Sequence, residues 1–245
     1  RSVEKTEVEG GGLKPNERCK STEDGEGPLS FSRKVALFFS LWPWIFPYFL
    51  TFFAKYASMD GPWAAMGFPV TEERARKEFY LWALLCFQVG VVIARTFGNS
   101  LHWTPFRVWM IPLCQVGLLI GYVAIAGTPP VMTSDGALGW VLLVPAFLTG
   151  VLGGLIYIGI YLLVSAKHWR ERREKEFALA SVGIGDAAGV VLAVACGLVV
   201  QSCLYSLYGI GGAQFSCPFE VGPGGRNMNS LALLSTERIL RSLHT

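Results

Sequence analysis

Hydrophobic residues are gathered into five long stretches that short polar segments separate. A helix needs about 20 mostly apolar residues, within a range of about 17–25, to cross the hydrocarbon core of a bilayer. None of the stretches alternates apolar and polar residues with the period of two that half-buried strands show. The pattern therefore predicts an all-α membrane protein with five transmembrane helices, over residues 35–57, 79–97, 106–126, 138–166 and 177–205.

The two ends of the chain have a different character. Residues 1–34 are polar and rich in Gly, Glu and Lys, which predicts a disordered loop. Residues 206–245 form a Gly- and Pro-rich tail, in which positions 229–243 suit either a short amphipathic helix or disorder. The helical bundle between them is predicted to cover 35–205. Because the first residue is Arg1 and no signal peptide follows it, we expect the C-terminal part of a longer protein.

Composition narrows the class of protein. Only 16% of the residues are charged and 52% are hydrophobic, whereas an ordinary soluble domain carries about 25% charged residues. The net charge is +3 and the basic residues are scattered, so the sequence indicates no nucleic-acid partner. No catalytic or nucleotide-binding motif and no Cys/His ligand spacing occurs. We therefore predict a non-enzymatic protein without metal or cofactor, whose first partner is the lipid bilayer.

The basic residues near the helix ends predict the orientation, because cytosolic loops carry an excess of Lys and Arg. One side of the predicted bundle is the more basic, with Arg33, Lys34, Arg95, Arg107 and the run at 167–175. The other side has Arg74, Arg76 and Lys77. We expect residue 1 on the cytosolic side and, after five crossings, a lumenal C-terminus.

Asp186 is the strongest candidate for a functional residue. It lies about ten residues into the fifth predicted helix, which is roughly 14 Å deep at 1.5 Å per residue. An ionised carboxylate at that depth is costly unless it is paired or faces water. One interpretation is a proton-titrating or substrate-orienting group in a polar cavity. The alternative is a carboxylate that only fixes the packing of two helices.

Four other polar side chains fall within or near the predicted spans. Lys55 either extends its aliphatic stem towards the interface or faces a central cavity. Arg95, close to the cytosolic end of the second helix, suits an anchor or gate better than a substrate contact. Gln88 and Gln115 are uncharged and either bond across helices or line a path.

Small residues and prolines are expected to shape the helices. The patterns Gly150-x-x-x-Gly154 and Gly185-x-x-x-Gly189 allow two helix backbones to approach closely. The alternative is that these glycines form a hinge or widen a cavity beside Tyr157. We include Tyr157 among the candidate residues of a substrate or proton path. Prolines at 43 and 47 predict a kink in the first helix.

Several short segments together resemble the battenin family of lysosomal or vacuolar membrane proteins. They occur in family order within about residues 35–204. They are Phe53-Ala54-x-Tyr56, Gln88-x-Gly90-Val91 with Arg95, Leu152-Gly153-Gly154 with Tyr157, and Glu176-Phe177-Ala178-x-Ala180 with Asp186 and Gly189. One position and one short stretch depart from the family pattern. Lys55 stands where an acidic residue is usual, and Met59-Asp60-Gly61 replaces an Asn-Gln-Gly-like stretch.

The resemblance implies the C-terminal half of a fold like that of the major facilitator superfamily, completed by a missing N-terminal helical half. It also implies a late-endosomal, lysosomal or vacuolar protein that supports organelle pH and moves protons or small metabolites, such as glycerophosphodiesters or basic amino acids. A second hypothesis is a non-transporting adaptor in endosomal or vacuolar trafficking or in proton-pump regulation. The charged segment 167–176 and the long N-terminal loop would then be its working parts.

Overall fold

The computed structural model describes residues 30–128 and 137–210, and within these ranges the regular structure is entirely helical. The helices are α1 (Phe31–Ser40), α2 (Trp42–Ser58), α3 (Glu73–Phe97), α4 (Pro105–Ala126), α5 (Ala137–Ala166) and α6 (Arg172–Leu207). A π-helical turn (Met59–Trp63) continues α2, and a 3-10 turn (Gly98–Ser100) follows α3.

Helices α3 to α6 are each long and apolar enough to cross a membrane. Helix α1 and the segment Trp42–Trp63 make a fifth crossing if this pair, bent by 63°, is one span. The prediction of an all-α membrane protein with about five transmembrane helices is confirmed within the described residues.

The first span breaks at a different place from the one that the prolines predicted. The chain bends at Leu41, before both prolines. Pro43 lies in the first turn of α2, where a missing N–H breaks no helical hydrogen bond. Pro47 lies inside α2, and the Thr51 hydroxyl donates to its carbonyl oxygen at 2.8 Å.

The helices also extend further than the hydrophobic pattern indicated. Helix α3 begins at Glu73 instead of 79, and α6 begins at Arg172 instead of 177. Ion pairs four residues apart support these polar first turns: Lys77 with Glu73 at 2.6 Å and Arg172 with Glu176 at 3.0 Å.

The N-terminal loop was predicted to reach residue 34, but residues 31–34 belong to α1. Arg33 of α1 donates to the Glu174 carboxylate of α6, from Nε to Oε1 at 2.8 Å, and from its terminal NH2 group. This ion pair places the starts of α1 and α6 on the same side of the bundle. Residues 1–29 and the tail from 211, with its possible amphipathic helix, lie outside the described residues.

Glycines lie where the helices approach most closely. Helices α2 and α6 run parallel, because Gly185 lies opposite Ile45 and Gly189 lies opposite Phe49. A Cβ atom at Gly189 would be only 2.7 Å from the Phe49 carbonyl oxygen. The same holds between α3 and α5: a Cβ at Gly154 would be 2.7 Å from the Ala94 Cβ, and one at Gly150 would meet the Phe87 carbonyl.

These contacts give a testable difference between two glycines of α6. Gly189→Ala should destabilise the protein by about 1–3 kcal/mol, because the added methyl group forces α2 and α6 apart. Gly183→Ala should be neutral or slightly stabilising, because a Cβ there has nothing within 4 Å and alanine favours helix. Thermal unfolding of the two variants in detergent measures this difference, and equal melting temperatures would contradict the packing role.

Candidate functional site

Three charged side chains from three helices lie near one another, from the buried interior to the surface of the bundle. Asp186 of α6 lies close enough to Lys55 of α2 and Arg95 of α3 for its charge to interact with both. Lys55 is only 6% exposed, Asp186 is half-buried and Arg95 is exposed. Among the described residues, no hydrogen bond or ion pair ties Asp186 to another side chain. The sequence indicated each of these residues separately, and the fold brings them together.

The ammonium of Lys55 lies among aromatic rings. Its Nζ is 4.2 Å from the ring centroid of Phe52, 4.3 Å from that of Tyr56 and 5.3 Å from that of Phe87. Its Cδ lies 3.1 Å from where a Cβ would stand at Gly153 of α5, so this glycine leaves room for the stem. Cation–π attraction offsets part of the cost of burial. Lys55 therefore lies in the bundle interior and does not extend to the interface; its role in a cavity stays a prediction.

A row of tyrosines lies beside these charges. The Arg95 guanidinium carbon is 4.5 Å from the ring centroid of Tyr157, whose ring is 4.9 Å from that of Tyr161. The Tyr161 ring lies edge-on to Tyr48 at 6.3 Å. The Tyr48 hydroxyl is buried and has no hydrogen-bond partner among the described residues. We call Tyr48, Lys55, Arg95, Tyr157, Tyr161 and Asp186 the central polar cluster.

Sequence reasoning missed Tyr48 and Tyr161. Helical spacing offered a signal for both of them. Tyr48 lies seven residues before Lys55, and Tyr161 lies four residues after Tyr157, so each shares a helix face with a predicted residue.

Gln115 of α4 faces the interior. The packing of α4 on α5 places another buried polar residue at the same level along the bundle. The Tyr122 hydroxyl donates to the Leu142 carbonyl oxygen at 3.2 Å, which fixes the antiparallel register of the two helices. Seven residues before Tyr122 lies Gln115, and seven residues after Leu142 lies Thr149. This register brings Gln115 and Thr149 to the same level.

Gln115 and Thr149 are both fully buried, and their side-chain polar atoms have no partner among the described residues. An unpaired buried polar group costs about 1–3 kcal/mol. The unpaired amide and hydroxyl therefore mark a polar spot in an otherwise apolar interior. Thr149 was not predicted, because a single threonine in an apolar helix gives no signal in the sequence.

Gln88, like Gln115, was predicted to line the path but is not part of the central polar cluster. It is exposed on α3, whereas its neighbour Phe87 faces Lys55. Within residues 30–128 and 137–210, no group of three or more His, Cys, Asp or Glu side chains is placed to hold a metal ion.

The fold and the cluster define a helical membrane protein with charged groups inside its bundle. The chain belongs to the CLN3 protein family, because the model of that family matches residues 3–207. The predicted resemblance to battenin is thereby confirmed.

Curated relatives support the family assignment. Protein BTN1 of Yarrowia lipolytica is 32% identical over 154 residues, which are 62% of this chain and 36% of the relative. Battenin of Canis lupus familiaris is 25% identical over 181 residues, which are 72% of this chain and 38% of the relative. The chain thus spans well under half the length of these relatives. No solved structure matches it significantly.

Proposed function

We propose that the protein is a transporter of the lysosomal or vacuolar membrane that supports organelle pH homeostasis and exports small metabolites. The observation that supports this most is the convergence of Lys55, Arg95 and Asp186 from three helices. Ionisable groups at membrane depth are costly, and they commonly mark substrate or proton pathways.

The proposed mechanism is alternating access between this bundle and a second helical half, as in the major facilitator superfamily. The match to the BTN1 proteins and to battenin covers only 36–42% of their length, which leaves room for such a half. The central polar cluster would then border the space that the two halves share. Gln115 and Thr149 would offer neutral hydrogen-bonding groups deeper in the bundle.

The balance of charge favours one class of cargo. With all three groups ionised, the cluster carries two positive charges and one negative charge. Protonation of Asp186 on the acidic side removes the negative charge and strengthens attraction for an anion. Loss of that proton on the neutral side weakens the attraction and favours release. The arrangement therefore suits a glycerophosphodiester better than a basic amino acid.

Transport is tested with the whole protein reconstituted into vesicles. We expect a pH gradient to drive flux of a radiolabelled glycerophosphodiester well above that of protein-free vesicles. Labelled lysine serves as the competing cargo, and flux of lysine alone would reverse the choice of cargo. If neither compound is transported, the proposed transport is refuted and the adaptor hypothesis remains.

The adaptor hypothesis has a structural observation of its own. The segment between α5 and α6 is charged, and His168 and Arg170 in it are exposed. Arg33 of α1 pairs with Glu171 in this segment at 3.6 Å and donates to Glu174 in the first turn of α6. If the protein acts as an adaptor, charge reversal in 167–176 would disturb organelle trafficking or pump activity. Vesicle transport by the purified protein would be unchanged.

Orientation gives a further prediction. We expect the α5–α6 segment to be cytosolic and the α2–α3 segment lumenal. His168→Cys and Thr71→Cys place thiols at exposed positions in these two segments. In intact organelles an impermeant maleimide should label only the cysteine at position 168. After permeabilisation it should label the cysteines at both positions. The unsubstituted protein measures the background from native cysteines, and the opposite pattern would invert the topology.

A further inference from the structure

A separate pocket lies where α3 and α5 begin, at the opposite end of these helices from Arg95. Its volume is about 220 Å³. Four aromatic side chains and one carboxylate line it: Phe68, Phe79, Trp82, Trp140 and Glu78. None of these residues belongs to the central polar cluster, so the pocket is a separate site.

The aromatic rings form two walls. Phe68 and Phe79 meet edge to face, with ring centroids 5.8 Å apart and planes at 74°. Trp82 and Trp140 lie next to each other, with ring centroids 6.1 Å apart and planes tilted by 49°. The Phe68 ring lies against Gly139, where a Cβ atom would come within 2.9 Å of it. This glycine lets the phenylalanine approach α5.

The side chains around the pocket are typical of the level of the lipid headgroups. The first turns of α3 carry the ion pairs Glu73–Lys77 and Arg74–Glu78, which belong in water or among headgroups. Trp82 follows one turn later, where the apolar part of the helix begins. Trp82 is 48% exposed and Trp140 is 64% exposed, so a molecule at the membrane surface can reach both rings.

We propose that this pocket binds the quaternary ammonium group of a choline phospholipid. Aromatic faces attract such a cation through their quadrupoles, and recognition of choline by aromatic cages is the best-known use of this interaction. The Glu78 carboxylate adds a negative charge at the rim. Arg74 donates from Nε to Glu78 Oε1 at 2.8 Å, so a guanidinium stands next to that carboxylate. The rim therefore carries both signs of charge, as a zwitterionic headgroup does.

The size of the pocket favours a headgroup over a whole metabolite. Pockets that enclose drug-sized molecules measure about 300–1,000 Å³, and this one is smaller. A lipid needs only its headgroup to enter, while its acyl chains stay in the bilayer beside the exposed tryptophans.

The test uses the whole protein in nanodiscs that contain equal amounts of phosphatidylcholine and phosphatidylglycerol. Native mass spectrometry then counts the lipids that remain bound. We expect the wild-type protein to retain phosphatidylcholine preferentially. Trp82→Ala and Trp140→Ala should each weaken this retention about five- to thirtyfold. Glu78→Gln, which keeps the shape of the pocket, should reduce the preference for choline over the anionic lipid.

Trp109→Ala provides the matched control, because Trp109 is also a partly exposed tryptophan, but lies on α4 outside the pocket. It should retain phosphatidylcholine like the wild-type protein. Two results would overturn the proposal: equal retention of both lipids by the wild-type protein, or unchanged retention in both tryptophan variants and in Glu78→Gln. The two tryptophans would then be ordinary residues of an interfacial belt. If free choline binds with this tryptophan dependence and phosphatidylcholine does not, the ligand of the pocket is not a lipid.

Discussion

Asp186→Asn is expected to abolish transport driven by a pH gradient while the protein remains folded. Asparagine has the shape of a protonated aspartic acid but cannot release a proton. In the proposed mechanism the variant binds an anionic cargo at every pH and fails to release it on the neutral side. The wild-type flux should change by up to about tenfold per pH unit, as for a single titrating group, and the variant flux by less than about twofold.

The measurement compares flux in vesicles at several lumenal pH values with equal amounts of each protein. Asp60→Asn is the matched control. Asp60 is a second partly buried carboxylate of the bundle, but it lies in the π-helical turn after α2 and packs against Gly197. It should keep the wild-type pH dependence. If Asp186→Asn also keeps it, Asp186 is not the titrating group and only its packing role remains.

Lys55→Met is expected to have the second largest effect, a loss of at least about tenfold in affinity for an anionic cargo. Methionine keeps most of the length of the lysine stem but removes the charge, which is one of only two positive charges in the central polar cluster. A single charge–charge interaction near a protein surface is worth up to about 4 kcal/mol at 4 Å, which is ample for a tenfold effect. Stability should stay equal or rise by up to about 4 kcal/mol, because a buried ammonium without an ion-pair partner is costly.

Lys77→Met separates this effect from a general change of charge. Lys77 is exposed and pairs with Glu73 on the surface of α3, so its replacement should change stability by less than about 1 kcal/mol and leave affinity unchanged. The double variant of Lys55→Met and Asp186→Asn gives a second check. Because the two charges interact, their effects on cargo binding should not add, with a coupling energy of about 0.5–3 kcal/mol. Additive effects would mean that the two residues act separately.

The helices could be predicted from the sequence because lipid imposes one strong requirement. A segment that crosses the hydrocarbon must satisfy its backbone hydrogen bonds internally and must be apolar over about 20 residues. Their ends could not be predicted in this way, because helices continue into water, as the charged first turns of α3 and α6 do. The break at Leu41 was also missed, since proline at the start of a helix needs no kink.

Candidate residues with a charge could be found from the sequence because charge at membrane depth is rare and costly. Asp186 and Lys55 stood out for this reason alone. Tyr48 and Thr149 gave no such signal, since a hydroxyl is common in membrane helices. Only the register of α4 against α5 brings Thr149 to the level of Gln115.

By itself, then, the sequence determined that the chain is a bundle of membrane-spanning helices, which of its polar residues are costly, and which family it resembles. The tertiary structure decided which of those residues meet. The aromatic rings around Lys55 come from α2 and α3, its space comes from Gly153 of α5, and the opposite charge comes from α6. The walls of the aromatic pocket likewise come from separate segments of the chain. Hydrophobic periodicity sets the inward face of each helix, but the close backbone contacts at the glycines set how the helices are aligned along one another, and that alignment decides which side chains share a site.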